Sequence, residues 1–318
     1  RLGARLLAVR SARAGRELRA LVEAPAGAGE LELRFLDAAG RIRGRRSAAG
    51  VTALPTAAAR AGRPPRPDAG LADRLATTTR RFAGAAAVWV HDLGSGRAAG
   101  AGETVRFPAA STVKLGVLAA ALDRFGPRPE RSAAAQDLAA LAAWSSNLAA
   151  NRLLRLLGGG DERRGVAVVE ERLRRLGAEA STYPGGYRAG TVSSQTPPAT
   201  GRVTTARDLG RILATMHAAA AGRAAALGRA RLSRHEARVG LALLLASERS
   251  GDNAGLLGLP AGLPAAQKHG WTSSTRHSAA IAYRRDGPVI VVVLTYAPGL
   301  RLADARRLGA QVARIALA

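Results

Sequence analysis

From residue 71 onward the chain alternates between two apolar rhythms. LADRLATTTRRF, starting at Leu71, has helical spacing, and AGAAAVWVHDLGSGRAAG reads as two strands joined by a turn at Gly94-Ser95-Gly96. Helical periodicity then predicts segments over about 111–124, 134–157 with a break near Trp144, 164–176, 204–219 and 233–248. The tail returns to strands in AAQKHGWT, HSAAIAYRR and PVIVVVLTYA, with a turn at Asp286-Gly287, and closes with a helix over LADARRLGAQVARIAL. Two strands, a helical block, three strands and a helix suit an α/β (α+β) fold. The first and last strands would meet in one antiparallel sheet, with a mostly helical lobe inserted between them.

Residues 1–70 read as an appendage. The segment 5–23 is Arg-rich with leucines at helical intervals, and GELELRFLDAAGRIRG (29–44) alternates around an AAG turn as a hairpin does. ARAGRPPRPDAG (59–70) is rich in Pro and Gly and reads as a linker, so the expected division is 1–70 and 71–318. No window approaches the roughly 18 uninterrupted apolar residues of a membrane span. The first residues hold no apolar run followed by a small-residue cleavage site, so any export signal is expected to have been removed or never present.

Composition narrows the function classes. A formal charge of +25 would suggest phosphate as a partner, but the arginines are spread along the whole chain and aromatics make up only 3%. Nucleic-acid binding is therefore not expected, and attraction to an anionic cell envelope is the milder consequence. There is no cysteine, hence no disulfide and no thiolate metal site, and the five histidines do not fall at ligand spacings with carboxylates. Neither a metal nor a cofactor is expected.

Of the 48 lysine and arginine residues, only Lys114 and Lys268 are lysine. Arginine stays charged at any relevant pH, whereas a buried lysine can exist as a neutral amine. Lys114 closes the run Ser111-Thr112-Val113-Lys114, where i,i+3 spacing at a helix start turns a hydroxyl and an amine into the same cleft. That pair has the chemistry of a nucleophile and its base. Ser145-Ser146-Asn147 offers a hydroxyl and a carboxamide at a loop-to-helix junction, although Ser and Asn there also suit a plain N-cap. Lys268-His269-Gly270-Trp271 lies on a strand, where a lysine supplies positive charge and a glycine admits close backbone approach; an edge-strand lysine that discourages aggregation is the plainer explanation. Two lysines scattered over the 48 cationic positions would fall on both motif sites about one time in a thousand.

With these three motifs in this order, residues 71–318 resemble the class A serine β-lactamases and their relatives, the penicillin-recognising serine peptidases. FPAASTVKLGVL, SSNLAANRLLRLLGG, VTTARDLGRIL and KHGW carry the resemblance. It implies a β-lactamase/transpeptidase-like fold with a five-stranded antiparallel sheet. It also implies that Ser111 is acylated, Lys114 accepts its proton, Ser145 relays a proton to the departing nitrogen, and Lys268 stabilises an anionic substrate. Asn147 would hold the substrate's side-chain amide, and the N–H groups of Ser111 and Trp271, beside Gly270, would form the oxyanion hole. Arg276 or His277 would meet the substrate carboxylate, strand parity leaving the choice open. A secreted or envelope-located monomer acting on a β-lactam or peptidoglycan-like peptide is the corresponding expectation.

Three departures divide that expectation. Ser146 stands where the family usually has Asp, and His269 where it has Ser or Thr. Between Gly177 and Thr205, where class A enzymes carry an Ω-loop glutamate that activates the deacylating water, the only acid is Glu179, too early in the segment, and Tyr187 falls near the expected place. One reading is a β-lactamase-like hydrolase that deacylates by another route, through Lys114 or Glu179. A second is a penicillin-binding or D-alanyl-D-alanine peptidase-like protein, or an esterase, with a slowly released acyl group. A third is a non-catalytic ligand-binding module, which the intact Ser111, Lys114, Ser145, Asn147 and Lys268 argue against.

Overall fold

The computed structural model describes residues 5–9, 20–23, 27–36, 41–60, 62–187, 201–247, 255–260 and 262–318. The expected AAG turn, residues 10–19 and residues 188–200 of the Ω-loop region lie outside them. Two compact units divide the chain, Arg1–Thr56 and Ala57–Ala318.

In the first unit β1 (Arg5–Val9) pairs antiparallel with β2 (Ala20–Glu23), and β3 (Gly27–Leu36) with β4 (Ile42–Ala53). The hairpin reading of 29–44 corresponds to the second pair. The helix expected over 5–23 gives way to two strands, because apolar runs of four or five residues fit either structure and periodicity alone does not separate them.

The second unit runs through β5 (Arg66–Pro67), α1 (Ala69–Arg80), β6 (Ala85–Asp92), β7 (Arg97–Ala101), β8 (Phe107–Pro108), α2 (Lys114–Phe125), α3 (Ala135–Ala143), α4 (Asn147–Leu157) and α5 (Glu162–Arg175). It continues with β9 (Val203–Thr204), α6 (Ala206–Ala220), α7 (Ala224–Ala230), α8 (Arg234–Ala246), β10 (Ala265–Trp271), β11 (Thr275–Tyr283), β12 (Pro288–Tyr296) and α9 (Leu302–Leu317). The main sheet has the order β10-β11-β12-β6-β7-β5. The early and late strands meet as expected, β12 pairing antiparallel with β6 in the register Val291↔Val90. The sheet has six strands rather than five, because two residues of the Pro/Gly-rich stretch, Arg66 and Pro67, pair parallel with Arg97 and Ala98. That stretch belongs to the second unit, and the N–H of Arg63 donates to the Leu93 carbonyl at 2.8 Å.

The central strand β12 is buried from Pro288 to Thr295, which is why PVIVVVLT reads as one continuous apolar run. On one face of the sheet Val88, Val90, Val289, Val291 and Val293 pack with Leu71 and Leu75 of α1 and Leu308 and Val312 of α9. α6 lies against β6 and β12 as well, and leads into the helical lobe. The lobe is built on α2, buried at every residue from Lys114 to Leu122 and packed against α3, α4, α5 and α8. Such a helix is apolar all round because it has no solvent face. Gly116 lets it approach α5 closely, since a Cβ there would lie 2.7 Å from Leu173 Cδ2. No helix among the described residues is long and apolar enough to cross a membrane.

Candidate active site

The backbone around Ser111 enters the lobe as a tight turn. The N–H of Thr112 donates to Ala109 O, that of Lys114 to Ser111 O and that of Leu115 to Thr112 O, so the helix proper starts at Lys114 and not at Ser111. Ala110, directly before Ser111, has φ 48°, a left-handed conformation that a non-glycine residue adopts at a cost of about 1–3 kcal/mol. Short β8 and β9 hold this turn to the chain after the Ω-loop region by pairing Phe107 with Thr204 and Pro108 with Val203.

Lys114 is completely buried. Its Nζ donates to Asn147 Oδ1 at 2.6 Å, to the Ser145 carbonyl, and more weakly to Ser145 Oγ at 3.4 Å. No hydrogen bond joins it directly to Ser111 Oγ in this state. Lys268, 2% exposed on β10, donates to the same Ser145 Oγ at 2.7 Å and to the His269 carbonyl at 2.9 Å. The Ser145 hydroxyl thus lies between both lysines of the chain. Ser145 reaches that place with φ 56°. The capping role falls to Ser146, whose Oγ accepts from the Ala149 N–H at 3.2 Å; the residue in the family's Asp position is therefore the N-cap of α4.

Electrostatics follow from crowding cations in a dry site. Burial first, then the nearby charges of Lys268 and Arg202, hold the Lys114 amine well below the ordinary lysine value. Burial pulls Lys268 down to about 7. A neutral amine at Lys114 is what a general base for a serine hydroxyl requires.

Gly270 brings the sheet edge onto the nucleophile turn. A Cβ at this position would lie 2.7 Å from Ser111 N and 3.0 Å from Thr112 N, both backbone atoms. Only glycine admits that approach, which lays the edge strand β10 against the backbone of Ser111.

The two candidates on β11 lie in different surroundings. His277 is 1% exposed and wholly engaged, with Nε2 donating to Pro108 O at 2.6 Å and Nδ1 accepting from the Thr295 N–H at 3.2 Å; burial moves its pKa to about 4, so it is neutral. It ties the sheet to the turn before Ser111 and has no group left for a substrate. Arg276 is half-buried with its guanidinium 5.2 Å from the Trp271 ring centroid, and its Nε is buried without a hydrogen-bond partner. His269 alternates away from the Lys268 face and meets Ser278 Oγ through Nδ1 at 2.9 Å.

Tyr187, which falls near the expected glutamate in sequence, sets its ring between Lys114 and Arg202. Tyr187 lies with Lys114 Nζ 4.2 Å and Arg202 Cζ 4.0 Å from its ring centroid, and its hydroxyl donates to the Ala110 carbonyl at 3.1 Å. Asn151 clamps its backbone in both directions, Nδ2 donating to Tyr187 O at 2.6 Å and Oδ1 accepting from Tyr187 N at 2.7 Å. Arg202 donates to the carbonyls of Gly185 and Gly186. Burial raises the phenol pKa further, so Tyr187 is a fixed donor and not a base. Glu179, entertained as a water activator, is exposed and lines a separate cavity of about 1110 Å³ with Trp89, Arg174, Arg207 and Arg211; no motif residue lines that cavity. Sequence reasoning missed Arg202 and Asn151. Arg202 carried no signal among so many arginines, and Asn151 looked like an ordinary helix residue. Among the described residues no group of histidines and carboxylates is arranged to hold a metal ion.

A helical lobe set against a mostly antiparallel sheet, with Ser111, two buried lysines and Ser145 gathered at their junction, is the architecture of a β-lactamase-like fold. The profile of the β-lactamase enzyme family matches residues 70–129 and 127–318, and the chain belongs to that family. Among solved structures it is similar to PBP-A, at 18% identity and TM-score 0.62 over 80% of this chain and 98% of that one. It is also similar to a β-lactamase from Desulfarculus baarsii, at 23% identity and TM-score 0.60 over 77% of this chain and 97% of that one. An ancestral class A β-lactamase of Gram-negative bacteria shares 26% identity at TM-score 0.60, over 78% of this chain and 98% of the ancestral one. No curated protein matches the sequence.

Proposed function

We propose that the protein is an acyl-enzyme-forming serine hydrolase, acylated at Ser111 by β-lactams or related amides and esters. The observation that carries this reading is the Ser145 hydroxyl held between Lys114 and Lys268 while Gly270 brings the strand edge against the Ser111 N–H. In this reading Ser111 Oγ attacks the carbonyl carbon and its proton passes to the neutral Lys114 amine, directly or through Ser145. The Ser111 and Trp271 N–H groups receive the developing oxyanion. As the C–N bond breaks, Ser145 protonates the nitrogen and is recharged by a lysine, leaving an ester on Ser111. Lys268 and Arg276 favour a substrate that carries a carboxylate.

Tyr187 favours a long-lived ester over rapid turnover. The residue that falls near the expected water-activating carboxylate in sequence is a phenol already committed as donor to Ala110 O. The acyl group then leaves slowly, as in a penicillin-binding or peptidase-like protein. Incubation with a chromogenic cephalosporin, following colour and intact mass together, tests both statements. One burst with a stable adduct on Ser111 is the expected result. Sustained turnover would overturn the slow-release assignment, and absence of any adduct with β-lactams or activated esters would overturn the enzymatic reading altogether.

A further inference from the structure

Only three tryptophans occur in a chain with 3% aromatic residues, and two of them stand exposed beside the motif residues. Trp144, 66% exposed, directly precedes Ser145, and Trp271, 48% exposed, directly follows Gly270. Leu148, 57% exposed, follows Asn147. Exposed single apolar residues are ordinary, but three large ones, each adjacent to a different motif residue, form a pattern. Nothing in the folding of α3 or α4 demands them. Trp144 lies at the C-terminal end of α3, where its backbone N–H donates to Ala140 O and its side chain is left to solvent. Leu148 occupies the first turn of α4, whose buried side is made by Ala149, Ala150, Leu153 and Leu154.

The three residues stand on the two segments that converge on Ser111 and Ser145. One is the segment from Trp144 to Leu148, tied to Lys114 and Lys268 through Asn147 and Ser145. The other is the end of β10, where Trp271 stacks with Arg276. Arg276 supplies a cation whose Nε has no hydrogen-bond partner, and its flat guanidinium matches a carboxylate. We propose that Trp144 and Leu148, together with the Trp271–Arg276 pair, select substrates with a bulky apolar or aromatic acyl substituent and a carboxylate. The acidic end meets Arg276 and Lys268, and the apolar substituent, beyond the amide held by Asn147, lies over Trp144 and Leu148. Aromatic surfaces of this kind gain by leaving water and by offset stacking. This inference rests on the acylation of Ser111 proposed above.

A series of penicillins that differ only in the side chain tests it: acetyl, hexanoyl, phenylacetyl and naphthylacetyl. The second-order rate of Ser111 acylation is measured by intact mass for each, in the parent protein and in Trp144→Ala and Leu148→Ala. In the parent, the phenylacetyl and naphthylacetyl compounds are expected to react about tenfold faster than the acetyl compound, equivalent to about 1.4 kcal/mol. Trp144→Ala is expected to remove most of that preference and Leu148→Ala part of it, the acetyl rate staying within about twofold in both. Thermal melts of the variants, and a Trp144→Phe variant that retains the preference, separate selection from damage to the loop. Equal rates across the series, or an equal loss for every compound in Trp144→Ala, would overturn this inference while leaving acylation intact. Failure of the parent to react with any member would overturn the acyl-enzyme reading, and this inference with it.

Discussion

Lys268, which the proposed reaction requires, is costly to the fold. It is almost fully buried and burial brings its pKa to about 7, against an ordinary lysine value of 10.5. Between those values the unfolded chain binds the proton more readily than the folded one, so folding with Lys268 costs stability at neutral pH, and the cost fades as the pH rises towards 10.5. Worked from these two values, the cost is about 4 kcal/mol at pH 7 and about 1 kcal/mol at pH 10. Lys268→Met keeps an unbranched stem and removes the charge. It also leaves Ser145 Oγ and the His269 carbonyl without this donor, a loss of about 1–3 kcal/mol. The variant is therefore expected to be more stable than the parent by about 1–3 kcal/mol at pH 7, and level with it or weaker at pH 10. For a folded unit of this size each kcal/mol moves Tm by about 2–4 °C, so the Tm gap between variant and parent should shrink by about 6–12 °C across that interval. Calorimetric melts of both proteins at pH 7, 8, 9 and 10 and constant ionic strength measure it, and acylation at pH 7 should be lost in the variant. Parallel Tm curves for the two proteins from pH 7 to pH 10 would refute the account of Lys268 as a desolvated cation kept for its chemistry.

Lys114→Arg preserves a charge but not a neutral base, and acylation of Ser111 is expected to fall by about 10²–10⁴-fold in a variant whose circular dichroism is unchanged; an unaltered rate would refute the base assignment. Gly270→Ala would drive a Cβ against the Ser111 and Thr112 backbone nitrogens, so acylation should drop about 10²–10³-fold while the melt persists. A burst of parental size would show that the strand edge does not line the oxyanion site. Tyr187→Glu places a carboxylate beside Lys114, and the half-life of a preformed acyl adduct is expected to shorten at least about tenfold by mass spectrometry. An unchanged half-life would remove Tyr187 from the place of the missing base.

Much of the second unit was legible because its helices and strands carry plain periodicities. The break expected near Trp144 is where α3 ends and α4 begins. α7 was not foreseen, since Ala224–Ala230 is too short and too uniform in alanine to show a period. β5 was hidden for another reason. Arg66–Pro67 has no strand pattern of its own and pairs only because the edge of β7 is available beside it.

What the sequence determined by itself was the set of candidate groups and their order, because two lysines stand out in a chain of arginines. Tertiary structure alone decided what those groups touch. Strand parity could not choose between Arg276 and His277, because the face that looks toward Ser111 is fixed by the turn at Pro108, which accepts from His277 across 169 residues of chain. Nor could the order of residues show that Lys114 and Lys268 converge on one serine hydroxyl, or that Tyr187 lies between Lys114 and Arg202 with its backbone held by Asn151. Those contacts join segments remote in sequence. They arise only when the lobe built on α2 is folded against the edge of the sheet.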